Sequence, residues 1–331
     1  MLTKKQNLRE TIKGGNPDRF VNQYEYLGFM NGANPYTVTN LRPNMGEADR
    51  ANAWGVTYSF PNGTPGPFPV HTPEKVLCKD ITKWKDYIKA PKLDYPDEEW
   101  LKYKPATETV DRNEVFATYF IAPGIFEQLH NFQGMDTALI NLYEEPEYTQ
   151  EIIDFLVDWE LRYAEKVCKF YQPEALFHHD DWGSYRSSFM APAMFEEFIV
   201  PAYKKIYGYY KEHGVEIIVH HSDSYAANLV PYMIEMGIDI WQGAASTNDV
   251  PSLIKQYGGK ISFMGDLDNG VIDRGDVTRE EIAKEVRRSC EACGKYYYIP
   301  CLIRGGEGSI YPGVYEAVSE EIDNMSKEMF K

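Results

Sequence analysis

Two four-residue runs concentrate the ionisable chemistry of this chain, His178-His179-Asp180-Asp181 and His220-His221-Ser222-Asp223. Each follows an apolar run, Ala175-Leu176-Phe177 in the first case and Ile217-Ile218-Val219 in the second. Imidazole beside carboxylate is the pairing that moves protons near neutral pH. Two histidines and two acids in succession are costly to place at a strand end without a use for them. Asp181 and His179 are therefore read as catalytic candidates, against the plainer reading that Asp180 and Asp181 only cap a following helix. His220 alternates to the opposite side of its strand from His221 and is expected to be a core or supporting histidine. Gln242, the Gly265-Asp266-Leu267-Asp268 run and Cys301 follow further apolar runs in the same way.

The elements that must position these groups are legible from position 113 onwards, where strand and helix signals alternate as in a parallel α/β architecture. Strands are expected at 115–121, 175–179, 216–220, 238–242, 261–264 and 297–300, with another starting near Phe20. Pro146 is well placed to open a helix, and Tyr171-Gln172-Pro173 closes it. A second long helix is expected from Pro192 to about Glu212. The polar runs all sit just after strands, the rim at which a barrel enzyme builds its site. The expected fold is a (β/α)8 TIM barrel with an N-terminal helix and loop insertions, forming a single domain over 1–331. Residues from about 40 to 91 are expected to form an irregular ordered insertion over one end of the barrel. The Gly63-Thr64-Pro65-Gly66-Pro67-Phe68-Pro69 stretch within it is too rich in Gly and Pro for a regular element.

Composition narrows the partners. A net charge of −16 argues against nucleic acid and against anionic membrane surfaces, both of which need a basic face. The sequence has no run of 18 apolar residues, and Met1 leads into a polar helix pattern without an apolar leader. Five unevenly spaced cysteines suit a reducing compartment. A cytoplasmic protein is expected. Cys290 and Cys293 form a C-x-x-C with no second pair to complete a zinc site, and they are read as structural. Gly305-Gly306-Glu307-Gly308 lacks the ending of a phosphate loop and is read as a turn that lets backbone approach the site.

The segment from Asp180 to Gly237 resembles the core of the uroporphyrinogen decarboxylase superfamily, which also contains corrinoid-linked methyltransferases. The likeness is carried by Asp180-Asp181-Trp182-Gly183-Ser184, Ala191-Pro192, Phe195-Glu196-Glu197-Phe198, His221-Ser222-Asp223, Leu229-Val230-Pro231 and Ile234-Glu235-Met236-Gly237. Pro17-Asp18-Arg19 and Pro312-Gly313 extend it towards both ends. The decarboxylase proper grips a many-carboxylate porphyrinogen with an arginine-bearing N-terminal loop, whereas residues 20 to 45 here contain only Arg42.

In the methyltransferase branch that serves coenzyme M, zinc sits on a His-x-Cys pair and a later Cys. The corresponding pair here is His221-x-Asp223, with Cys301 near the place of the second thiolate. The resemblance thus implies zinc on His221, Asp223 and Cys301, and a carboxylate in place of thiolate favours an oxygen substrate over a thiol. The insertion around Trp54-Gly55-Val56 is similar to that of the first methyltransferases of anaerobic O-demethylase systems. That likeness implies cleavage of a methoxylated aromatic compound, a phenyl methyl ether. The methyl group would pass to cobalamin carried by a separate corrinoid protein, since this chain lacks an Asp-x-His-x-x-Gly cobalamin signature. Two alternatives stand beside this: a metal-independent decarboxylase of the uroporphyrinogen type, and a non-catalytic ligand-binding relative.

Overall fold

The computed structural model describes residues 1–30, 32–64 and 66–331. The chain opens with helix α1 (Lys4–Lys13), capped at its start by the reciprocal Thr3/Gln6 hydrogen bonds and ended by Gly14 in the left-handed region at φ 65°. Seven strands then build one parallel sheet in chain order: β1 (Leu27–Phe29), β2 (Phe116–Ile121), β3 (Ala175–His179), β4 (Ile217–His221), β5 (Ile240–Ala244), β6 (Ser262–Asp266) and β7 (Tyr298–Cys301). Strictly sequential order in a parallel sheet with helical crossovers is the topology of an α/β barrel, so the expected fold class holds as a curled parallel sheet. The ladder count is seven, and among the described residues no strand pairing joins β7 back to β1. Residues before β1 lie across that seam: the Leu302 N–H donates to Gln23 Oε1 at 3.4 Å, and the Tyr26 hydroxyl meets Met264 Sδ at 3.3 Å.

Alternation along each strand sorts side chains between two cores. Phe116, Ala175, Phe177, Ile217, Val219, Ile240, Met264, Ile299 and Cys301 fill the inside of the curl together with Leu8, Val21 and Tyr26. Their neighbours Ala117, Tyr119, Leu176, Ile218, Trp241, Phe263 and Tyr298 point outwards into the larger core under the helices. Each large side chain so buried contributes about 1.5–3 kcal/mol of transfer free energy.

Among those helices are α2 (Ile125–Gln133), the long α3 (Pro146–Tyr171) and α4 (Val200–Glu212). The helix expected from Pro192 is present but passes through a π-helical turn at Phe195–Ile199, ahead of Pro201, whose missing N–H suits such a register change. The insertion is more regular than expected, because Arg50–Ala51, Thr57–Ser59 and Phe68–Pro69 pair as a small antiparallel sheet. Phe68–Pro69 falls inside the Gly/Pro-rich stretch, where Pro is tolerated because the strand lies at the sheet edge. Among the described residues no helix is long and apolar enough to cross a membrane.

Candidate metal centre at the barrel mouth

Strands β3 and β4 pair with His178 opposite His220 and His179 opposite His221, so the two histidine runs divide cleanly by parity. The even pair faces the helices. His178 Nδ1 meets the Tyr207 hydroxyl at 3.1 Å, and the same hydroxyl meets His220 Nδ1 at 2.6 Å. His220 Nε2 adds the Asp180 carbonyl at 3.1 Å, and its ring stacks on Trp182 with centroids 3.7 Å apart. With both ring nitrogens engaged, His220 is the supporting residue that strand alternation predicts.

The odd pair faces the inside of the curl, where the His179 and His221 rings stack at 4.4 Å. Each presents Nε2 by committing Nδ1 elsewhere. His179 Nδ1 is 2.9 Å from Glu127 Oε2, and His221 Nδ1 is hydrogen-bonded to Gln242 Oε1 on the neighbouring strand. Gln242 is itself held by donating Nε2 to the Ile303 carbonyl at 3.3 Å. Asp181 Oδ1 lies 3.9 Å from His221 Nε2 and accepts the Asp223 N–H at 3.1 Å. One donor atom from each of His179, Asp181 and His221 falls within 4.8 Å of the others.

Asp180, adjacent in sequence, has a different task. It is fully buried and accepts four hydrogen bonds, from the Phe126 and Glu127 N–H groups, the Trp182 indole and the Tyr203 hydroxyl, at 2.6–3.0 Å. The first two are orphan donors at the start of α2, so Asp180 fixes the helix end that carries Glu127. Gly124, at that end, has no room for a side chain, since a Cβ there would stand 2.3 Å from the Tyr203 hydroxyl and 2.4 Å from Asp180 Cβ.

The charges are arranged for a cation. Burial lowers His221 to about 3 with help from His179, so it is a neutral ligand at physiological pH. Burial also opposes charge on His179, but Glu127, Asp181 and Asp180 outweigh it and raise the imidazole. Asp181 is lifted to about 8, first by burial, with Glu127 and Asp223 adding like-charge repulsion against the pull of His179. Asp223 is lifted to about 6, again chiefly by burial. A bound divalent ion would relieve this crowding of carboxylates. Two imidazoles and a carboxylate with exchangeable positions to spare form a donor set that fits zinc. Glu127 and Gln242 act as the outer partners that orient such ligands.

The structure therefore brings together His179, Asp181 and His221, while Asp223 and Cys301 fall outside the group. Asp223 contributes its backbone N–H to Asp181. Cys301 sits on β7 with its thiol donating to the Leu302 carbonyl at 3.1 Å, and full burial pushes that thiol far above its ordinary range. Cys290 and Cys293 are buried on their helix, as expected of structural cysteines. Glu127 was missed by sequence reasoning. Its only signal was the Pro123-Gly124 break after β2, which marks another strand end on the same rim.

Two clefts open onto the donor group. One, of about 550 Å³, is walled by Tyr24, Phe29, Phe120, Phe177 and Tyr315 around His179 and His221, with Arg304, Gly305 and Gly306 at its edge. The backbone of the glycine-rich turn thus reaches the site as expected. The other, of about 490 Å³, lies under the insertion and includes Arg42, Tyr58 and Phe68 on one side and Glu127, His179 and Asp181 on the other.

A curled parallel α/β sheet with a His/Asp donor group at the carboxyl ends of its strands defines a barrel-type protein with a candidate metal centre. Residues 130–302, more than half of the chain, match the family described as uroporphyrinogen decarboxylase (URO-D), and the chain belongs to that family. Among solved structures it is similar to a methyltransferase from Methanosarcina mazei, with a TM-score of 0.65 and 13% identity over 98% of this chain and 99% of that one. A D-psicose 3-epimerase determined in the presence of D-fructose aligns over 72% of this chain and 85% of its own at 11% identity, with a TM-score of only 0.37. No curated protein sequence matches the chain.

Proposed function

We propose that the chain is a methyltransferase that takes the methyl group of a methoxylated aromatic compound and passes it to a corrinoid carried by a separate protein. The observation that carries this reading is the grouping of His179, Asp181 and His221, of which His179 and His221 line a cleft whose walls include five aromatic rings. The fold shared with the Methanosarcina mazei methyltransferase and the family membership are consistent with it.

The chemical obstacle is the leaving group, because an unassisted phenoxide has a conjugate acid near pH 10, about that of tyrosine. A divalent ion held by His179, Asp181 and His221 would supply Lewis acidity towards the ether oxygen. The chain's own residues do the rest. Phe29, Phe120 and Phe177 orient the ring and exclude water. Glu127 and Gln242 hold the two imidazoles with Nε2 forward. In the C–O cleavage the bonding electrons stay with the phenolic oxygen and the methyl carbon moves to the corrinoid.

A second reading follows from the raised Asp181. Oδ1 is occupied by the Asp223 N–H, which leaves the other oxygen to hold a proton and work as a metal-independent acid, the chemistry a decarboxylase would use. The experiment that separates the two incubates the purified chain with chemically reduced cobalamin and a methoxybenzoate. Release of the matching phenol, dependent on the reduced corrinoid and lost at least 100-fold in His221→Ala, supports methyl transfer. Release of carbon dioxide from an aromatic acid without corrinoid overturns it in favour of the second reading.

A further inference from the structure

Phe120 borders three cavities at the barrel mouth. Strand alternation puts it on the inner side of β2 with Phe116, and its side chain is 46% exposed. It lines the cleft over His179 and His221, the cleft under the insertion, and a third cavity of about 540 Å³ next to helix α3. Phe29, 45% exposed, lines the first and the third. Both rings lean on Phe177, with centroids 5.6 Å away for Phe29 and 5.7 Å for Phe120. These two phenylalanines therefore belong to a wall shared by the histidine cleft and the third cavity.

The third cavity is itself an aromatic chamber, with Tyr36, Trp54, Trp159 and Tyr163 in its lining. Trp159 braces the other three. Tyr36 and Trp54 each meet it edge to face at 4.9 Å, and Tyr163 stacks on it at 5.3 Å. Among the described residues no Lys or Arg lines the chamber, and its one carboxylate, Glu160, already faces buried His178 Nε2 at 2.9 Å. Aromatic surface without a cation to pair an anion suits a neutral aromatic occupant, which gains edge-to-face and offset ring contacts beyond its area burial. The histidine cleft alone is of a size that takes a whole small-molecule ligand. A one-ring methyl ether therefore has no need of a second enclosure of equal volume behind the same two phenylalanines.

We propose that the methyl donor carries two aromatic rings joined by a short linker. The methoxylated ring lies over Phe177, His179 and His221, the second ring enters the chamber against Trp54 and Trp159, and Phe29 and Phe120 flank the linker. The place of the first ring rests on the methyl-transfer reading, and the place of the second rests on the chamber.

The test titrates the full chain by calorimetry with para-methoxybibenzyl, with the counterpart whose second ring is cyclohexyl, and with anisole. One para-methoxybibenzyl per chain should bind at least 30-fold tighter than anisole, because a second ring is buried. It should also bind at least threefold tighter than the cyclohexyl counterpart, although the saturated ring has the larger apolar surface. Gly32 lines the chamber, and a Cβ there meets no other atom within 4 Å, so Gly32→Phe adds bulk without a clash at its base. That variant should bind para-methoxybibenzyl at least tenfold more weakly and anisole within twofold of the parent. A bibenzyl advantage that persists undiminished in folded Gly32→Phe overturns the proposal, as does a cyclohexyl counterpart that binds the unmodified chain as tightly as the bibenzyl. The second comparison needs no variant and stands even if Gly32→Phe fails to fold. The titrations contain no corrinoid, and methyl transfer is scored on a one-ring methoxybenzoate, so failure of one reading is told apart from failure of the other.

Discussion

Gln242 accepts the Nδ1 proton of His221 from the adjacent strand, in direct register with it. That contact selects the tautomer in which Nε2 carries the lone pair and turns it towards Asp181 and His179. Because the Gln242 amide is anchored in turn on the Ile303 carbonyl, the ring has little freedom to rotate.

Replacing Gln242 by Leu keeps the side-chain bulk but removes the acceptor. Metal affinity should fall 10- to 100-fold while the fold is retained. Competition with a chromophoric chelator measures this, and unchanged affinity would show that Gln242 does not orient the ligand.

Elemental analysis of the purified chain should find about one divalent ion per molecule. His179→Ala and His221→Ala should each lose it, and Cys301→Ser should keep it, because the Cys301 thiol is turned to the Leu302 carbonyl. Loss in Cys301→Ser with retention in His179→Ala would restore the ligand set implied by resemblance alone.

Asp180→Ala should destabilise the chain by about 3 kcal/mol or more, since four buried donors lose their acceptor at once. Urea unfolding followed by circular dichroism gives the number. A loss below about 1 kcal/mol would mean that the start of α2 does not depend on this carboxylate.

Stability should also carry a signature from His130. Burial pulls its imidazole down to about 4, against Glu127 and with His71, whereas the unfolded chain titrates near the ordinary value of roughly 6.5. The folded pKa is the lower one, so the neutral ring's contribution is fully present above pH 6.5 and is lost as pH falls towards 4. The stability difference between the parent chain and His130→Gln should be flat above about pH 7. It should then move by up to roughly 3 kcal/mol in favour of the variant between pH 6.5 and 4. Urea midpoints measured across that range check it, and a constant difference would contradict the buried, neutral assignment.

Much of the architecture was legible because it rests on local chemistry. The apolar run at 175–177 starts a strand legible from its own composition, and Pro146 and Gln172 mark the ends of the long helix. Strand starts and ends shifted by one or two residues, as at β4 and β5, because pairing partners decide where a ladder stops. The regular pairing inside the Gly/Pro-rich insertion was not legible, since an edge strand of two residues leaves almost no periodic signal.

The sequence by itself determined that ionisable residues gather at strand ends, and alternation along one strand was enough to separate His221 from His220. It also determined, by length of apolar run and order of elements, a parallel α/β architecture. Only the tertiary structure decided which of those groups share a point in space. Glu127 reaches His179 across 52 positions of chain, held there by Asp180 at the start of α2. Cys301, at the end of β7, lies outside that donor group, with its thiol on the Leu302 carbonyl. The physical reason is that strand periodicity fixes the direction of a side chain, whereas distance between side chains on different elements depends on sheet stagger, helix placement and burial, which no local stretch of sequence encodes.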